Sequence, residues 1–160
     1  MLTIVCETGD NLTVEADSLV GIDLSGAQLH RALLEDRCLV GAILKNVDFR
    51  SAWLERADFS NADISNASLA AVAAMNANFS NCKFVGTMLR SGVFLSANFS
   101  GADLTNAKVG YAQFREANFC GAILRCEGLE TADLNGSKYD SKTIWPDSFD
   151  PKVAGAILVS

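Results

Sequence analysis

His30 is the only histidine in the chain, so a Ser/His or Cys/His nucleophilic pair could be built at that one position alone. It follows Leu29, a member of a regular apolar series, and a residue in that slot is expected to point to solvent. Five cysteines, at positions 6, 38, 82, 120 and 126, form no CxxC pair. An odd, scattered set suits a reducing compartment better than a disulfide framework, and Cys120 and Cys126 lack the spacing and companions of a zinc site. Cys82 falls on an inward small position and is expected to pack as a small hydrophobe. Asp23, Asp63 and Asp103 recur on one side with Ile43 and Lys83 between them. Neighbouring carboxylates would then stand roughly 9–10 Å apart, with nothing else converging on them, which is too loose for the retaining paired-carboxylate geometry. With no Gly-rich phosphate loop either, no catalytic, cofactor-binding or metal-binding residue is expected, and the chain reads as a non-enzyme.

The elements that hold these side chains follow from composition and period. The chain has 160 residues, 49% apolar and 20% charged, enough for one domain with a substantial core. Its formal charge of −6 gives nucleic-acid phosphates no basic surface, so direct DNA or RNA binding is disfavoured. The longest apolar run, Leu69 to Met75, is far short of the roughly 18–20 residues that cross a bilayer. Glu7 and Asp10 interrupt the N-terminus and no Lys or Arg precedes Arg31, which does not read as a signal peptide, so a cytoplasmic address is expected.

A period of five runs through the chain. From Leu24 to Tyr139, 23 of 24 positions in steps of five are large and apolar, and eight of the nine phenylalanines fall on that register. Two residues earlier, Ala occupies 15 of the 24 positions. On an α-helix residues five apart are separated by roughly 140°, so the set would spiral over every side. On a flat strand an odd period changes side at each repeat. The pattern works if the chain turns a corner once per repeat, with Gly, Asn and Ser at corners such as Gly26, Gly41, Asn61, Asn81 and Gly101.

Similarity is strongest at 20 residues, in Ala57-Asp58-Phe59-Ser60-Asn61, Ala77-Asn78-Phe79-Ser80-Asn81, Ala97-Asn98-Phe99-Ser100-Gly101 and Ala117-Asn118-Phe119-Cys120-Gly121. Four repeats per coil would pile Phe59, Phe79, Phe99 and Phe119 into one core column, and Asn78, Asn98 and Asn118 into a hydrogen-bonded ladder. Over residues 18–141 the chain resembles the pentapeptide-repeat proteins, with their motif A-(D/N)-(L/F)-x-x. Residues 139–156 resemble the tail of many cyanobacterial members. The resemblance implies an all-β fold, a right-handed, four-sided parallel β-helix.

At about 4.8 Å per coil, about six coils give a rod near 29 Å long. Its open ends need covers. Residues 1–17 are expected to form an N-terminal hairpin cap and 142–160 a C-terminal cap bearing Trp145, Pro146 and Phe149. Ala74 breaks the apolar rule, but Val72 beside it is oversized, so the two can exchange volume. Arg37 and Glu127 fall on inward small positions, where an unpaired charge is costly, and local bulges that turn them outward are expected.

With chemistry set aside, binding remains. The resemblance implies one candidate role: some members match a DNA duplex in size, shape and negative charge and bind DNA gyrase in its place, typically as dimers joined through their C-termini. Here no acid lies between Asp63 and Asp103, so about two coils are uncharged by acids where a duplex carries a charge every ~1.7 Å. The other candidate comes from the side centred on Leu34, Leu54, Ala74, Phe94 and Phe114. Its outward slots hold Leu33, Trp53, Ala73 and Val93, with Met75 and Leu95 after their centres, and all are expected to face solvent. Such a stripe, flanked by Glu35, Glu55, Arg56 and Arg115, fits a protein partner or a second copy of the chain in a homodimer. The favoured reading is a rigid, non-enzymatic interaction module.

Overall fold

The computed structural model describes all 160 residues. From Gly21 to Gly121, every fifth residue takes the left-handed backbone conformation, with φ between 53° and 74°. Gly and Asn, which adopt it readily, fill 12 of those 21 corners; Arg31, Ala71 and Tyr111 are among the others. The corner is therefore imposed by coil-to-coil bonding as well as by local preference. Each corner closes a turn in which the inward residue donates to the preceding centre residue, as Ala62 N–H does to the Phe59 carbonyl at 2.9 Å. The Asp or Asn of the motif accepts the amide two residues on: Ser60 N–H donates to Asp58 Oδ1, Ser80 N–H to Asn78 Oδ1 and Ser100 N–H to Asn98 Oδ1. That local bond is the reason the motif selects a short carbonyl-bearing side chain before the centre.

Between corners, single residues bridge in parallel to the residue one coil on. Asp23, Ile43, Asp63, Lys83, Asp103 and Ile123 make the first face, and Gln28, Asp48, Ser68, Met88 and Lys108 the second. Leu33, Trp53, Ala73, Val93, Gln113 and Asp133 make the third, and Cys38, Asp58, Asn78, Asn98, Asn118 and Lys138 the fourth. The spacing of 20 residues over four faces makes a four-sided β-helix. Of 103 backbone hydrogen bonds, only 5 lie within named helices and strands, so the rod is held by bonds between coils. The named elements sit at its ends. Strands β1 (Leu2–Ile4) and β2 (Leu12–Val14) pair antiparallel, and Cys6 bridges antiparallel to Ala32 on the first complete coil. A short 3-10 turn spans Leu129–Thr131, and β3 (Lys138–Tyr139) pairs in parallel with β4 (Ile157–Leu158). No helix is long and apolar enough to cross a membrane.

One apolar cluster of 42 buried residues fills the axis. Phe59, Phe79, Phe99 and Phe119 stand in single file with ring centroids 5.3, 5.1 and 5.3 Å apart, and Phe94 stacks on Phe114 at 5.3 Å. Trp145 closes the file edge-on to Phe119 and Tyr139. Val72 and Ala74 are both buried, and Gly92, one coil on from Val72, leaves the room that the Phe94 ring takes. The asparagine ladder is shorter than the sequence suggests: Asn78 donates to Asp58 at 3.0 Å and Asn98 to Asn78 at 3.3 Å, and no such bond joins Asn118 to Asn98.

The two inward charges resolve differently. Glu127 is exposed because the register slips: it bridges Lys108, 19 residues back, so Cys126 takes the inward slot and Gly128, at φ 92°, takes up the kink. At Arg37 there is no bulge, contrary to expectation. Its N–H donates to Leu34 O and its carbonyl accepts from Asp58 N–H, as in every regular repeat. The side chain is half-buried in the first complete coil, where the residue 20 positions earlier, Asp17, is exposed. An open end above it removes the need to bend the backbone.

Candidate protein-binding face

On the third face the backbone presents two outward columns. The bridging column runs Leu33, Trp53, Ala73, Val93, Gln113, Asp133, and the column after the centres runs Glu35, Glu55, Met75, Leu95, Arg115. Coils about 4.8 Å apart bring successive members of a column into van der Waals reach. This corrects the expectation that the whole stripe faces solvent freely. Leu33 and Trp53 are 37% and 39% exposed, whereas Ala73, Met75, Val93 and Leu95 are half-buried, each partly covered by the coils on either side. The surface is a low apolar strip with its largest side chain, Trp53, near the N-terminal end.

Charge is graded along this strip. At the N-terminal end, Arg56 grips Asp36 with two bonds, Nε to Oδ1 at 2.6 Å and Nη2 to Oδ2 at 2.7 Å. That grip holds the Asp36 carboxyl below the ordinary range. Glu55, by contrast, is only 9% exposed, and its Oε2 is shut from water without any hydrogen-bond donor. At the other end Arg115 is half-exposed and forms an ion pair with Asp133 at 3.9 Å. In the column after the centres, acid therefore precedes the apolar middle and base follows it, while the bridging column ends on Asp133.

His30 lies at the corner between the second and third faces. With Arg31, Ser51, Trp53, Ala71 and Ala73 it lines a shallow open groove. The groove exists because two successive corners, Ser51 and Ala71, are small; reading the corner column as a column would have found it. Nearby, Arg50 binds Asp48 through Nε and Nη2 and holds its carboxyl low. No nucleophile is bonded to His30, and no three His, Cys, Asp or Glu side chains converge as a metal site requires. Asp23, Asp63 and Asp103 do alternate with Ile43 and Lys83 along the first face. All five cysteines are free. Cys82 is buried and its Sγ donates to Phe59 O; burial pushes this thiol, like Cys126, up to about 12. Such thiols are inert as nucleophiles.

Comparison with known proteins agrees with this geometry. Residues 42–119 match the family profile described as a pentapeptide repeat region. No curated protein matches the chain. Among solved structures, the pentapeptide repeat protein Rfr23 from the cyanobacterium Cyanothece 51142 aligns at 26% identity and a TM-score of 0.59, over 79% of this chain and 89% of its own. A pentapeptide repeat protein from the Arabidopsis thaliana thylakoid lumen aligns at 26% identity and a TM-score of 0.54, over 62% of this chain and 66% of its own. QnrB1, a plasmid-mediated fluoroquinolone resistance protein, shares the fold at 13% identity and a TM-score of 0.55, over 91% of this chain and 88% of its own. The five-residue period, the left-handed corners, the four bridged faces and these matches together make the chain a member of the pentapeptide-repeat proteins, whose fold is the right-handed quadrilateral β-helix.

Proposed function

We propose that this chain is a rigid, non-enzymatic interaction module, a rod of about six coils covered at one end by the β1–β2 hairpin and at the other by the C-terminal tail. It docks a protein through the third face. The observation that carries this reading is the apolar strip of Leu33, Trp53, Met75, Val93 and Leu95, on a face whose successive coils are joined by an unbroken series of parallel bridges. A rod of this kind holds such a strip flat and straight, so little ordering cost falls on binding. A filled axis of stacked rings leaves catalysis no enclosed pocket. A reducing compartment, the cytoplasm, belongs to the same reading and is supported by five unpaired thiols.

Mimicry of duplex DNA toward gyrase is the weaker reading. The net charge of −6 favours it, but the absence of any acid from residue 64 to 102 leaves the middle coils without the charge spacing of a duplex. The QnrB1 likeness supports the shared fold alone.

The test is a double substitution, Trp53→Glu with Val93→Glu, in affinity capture from the native host. The variant is expected to keep its far-UV spectrum and melting temperature and to lose the captured protein. Retention of the same protein by the double variant overturns the site.

A further inference from the structure

The partner that fits the third face is a second copy of the chain. We propose that two copies associate face to face, antiparallel, about a twofold axis that lies in the interface along the strand direction, between the Ala73 and Val93 coils. This rests on the reading of that face as a protein-binding surface and names its occupant. A rotation about such an axis reverses the order of the coils but returns each column onto itself. Met75 of one copy then faces Leu95 of the other, Ala73 faces Val93, and Trp53 lies over Gln113. In the same register Glu55 falls opposite Arg115, and at the adjoining corner Arg56 falls opposite Glu116. Each contact occurs twice.

Charge complementarity selects this register. Moving the axis by half a coil toward the N-terminus sets Glu55 against Leu95 and Asp36 against Glu116; moving it toward the C-terminus sets Met75 against Arg115. A parallel pair would lay Glu55 over Trp53 within one coil and leave Arg115 without an acid. The antiparallel register centred between Ala73 and Val93 joins acid to base at Glu55 and Arg115 and apolar to apolar in the central coils, with Trp53 over Gln113 and Leu33 opposite Asp133 toward the ends.

A second, independent observation points to the same occupant. Glu55 lies on the face with Oε2 buried and lacking a donor, an arrangement that costs free energy in the isolated chain. Arg115, half-exposed, has guanidinium N–H groups to spare beyond its 3.9 Å contact with Asp133. A side-chain rotation of Glu55 toward an incoming guanidinium satisfies both groups with a charge-assisted bond. Area is sufficient: of 7487 Å² accessible surface, shared among four faces and two ends, a whole face offers on the order of 1,200 Å². Two faces in contact therefore exceed the roughly 1,000 Å² a specific interface needs.

The experiment is sedimentation velocity of the full chain from about 1 to 200 µM, with the chains Glu55→Arg and Arg115→Glu run alone and as an equimolar mixture. The unaltered chain is expected to shift from monomer to dimer. Each single variant sets like charges together, weakens association at least tenfold and sediments as a monomer, while the mixture regains the dimer because every opposed pair is again acid with base. Melting curves of the variants establish that each is folded. Monomer at all concentrations for the unaltered chain overturns the proposal, as does a mixture no heavier than its components. If the unaltered chain is monomeric yet captures a host protein that the Trp53→Glu, Val93→Glu chain loses, the twofold pairing fails while the docking face stands. Loss of neither property on that double substitution removes both.

Discussion

Ser137 occupies the inward slot that Ala57, Ala77, Ala97 and Ala117 fill in the coils before it, and its hydroxyl is buried without a partner. Two other polar residues in inward slots escape that cost. Thr87 Oγ1 donates to Ile64 O at 2.9 Å and Cys82 Sγ to Phe59 O at 2.8 Å, each reaching a carbonyl of the preceding coil. Removing an unsatisfied buried hydroxyl from an otherwise apolar column restores the sequence rule, so Ser137→Ala is expected to stabilise the protein by about 1 kcal/mol. By thermal unfolding this is a rise of roughly 2–4 °C. A fall in melting temperature would mean that the hydroxyl is bonded and the column is not dry. That the slot points inward is readable from the period. Whether a hydroxyl there finds a carbonyl depends on its rotamer against the neighbouring coil, which no spacing encodes. The same limit applies to Glu55, which the sequence presents as a solvated flank of the strip and the fold lays down nearly buried.

Within a coil, volume is set by columns. Phe94 stacks on Phe114 and meets Phe79 and Phe99 edge-on, and the inward slot beside it is Gly92. A methyl group on Gly92 would stand 2.5 Å from Cε2 of that ring, which three neighbouring rings hold in place. Gly92→Ala therefore costs about 1–2 kcal/mol, the strain of overpacking exceeding the roughly 0.4–1 kcal/mol gained from a less flexible unfolded chain. Chemical denaturation reads the difference; equal or higher stability would show that the Phe94 column can yield. Counting in fives gave the corners and the bridged columns from Gly21 to Leu124 because each repeat obeys the same local geometry. At Glu127 the spacing itself changes, and the outward turn expected of that glutamate is found. The shortening to 19 residues at Glu127 is made up by Gln113 bridging Asp133, 20 apart, and then Ile123 bridges Ile144, 21 apart. Leu129 and Leu134 thus remain buried on the register while Cys126 and Glu127 exchange roles. A glutamate where an alanine belongs and a glycine after it were the cues.

Over the whole molecule the four faces differ in chemistry. The fourth face carries a polar Asp/Asn run, the first alternates acids with Ile43 and Lys83, and the third carries an apolar strip between Glu55 and Arg115. The strip itself was legible, since outward slots follow from the period. Its depth was not, because half-burial of Met75 and Leu95 comes from neighbouring coils. Nor was its self-complementarity, which appears once columns are known to fall onto themselves under a twofold axis. The three methionines of the chain allow a direct reading. Met75 lies on the third face and Met88 on the second, both half-buried in the single chain. Methyl resonances labelled at methionine are measured with a soluble nitroxide over a dilution series. The account predicts that Met75 becomes protected from broadening as concentration rises while Met88 broadens equally throughout. Equal broadening of both methyl groups at every concentration contradicts it.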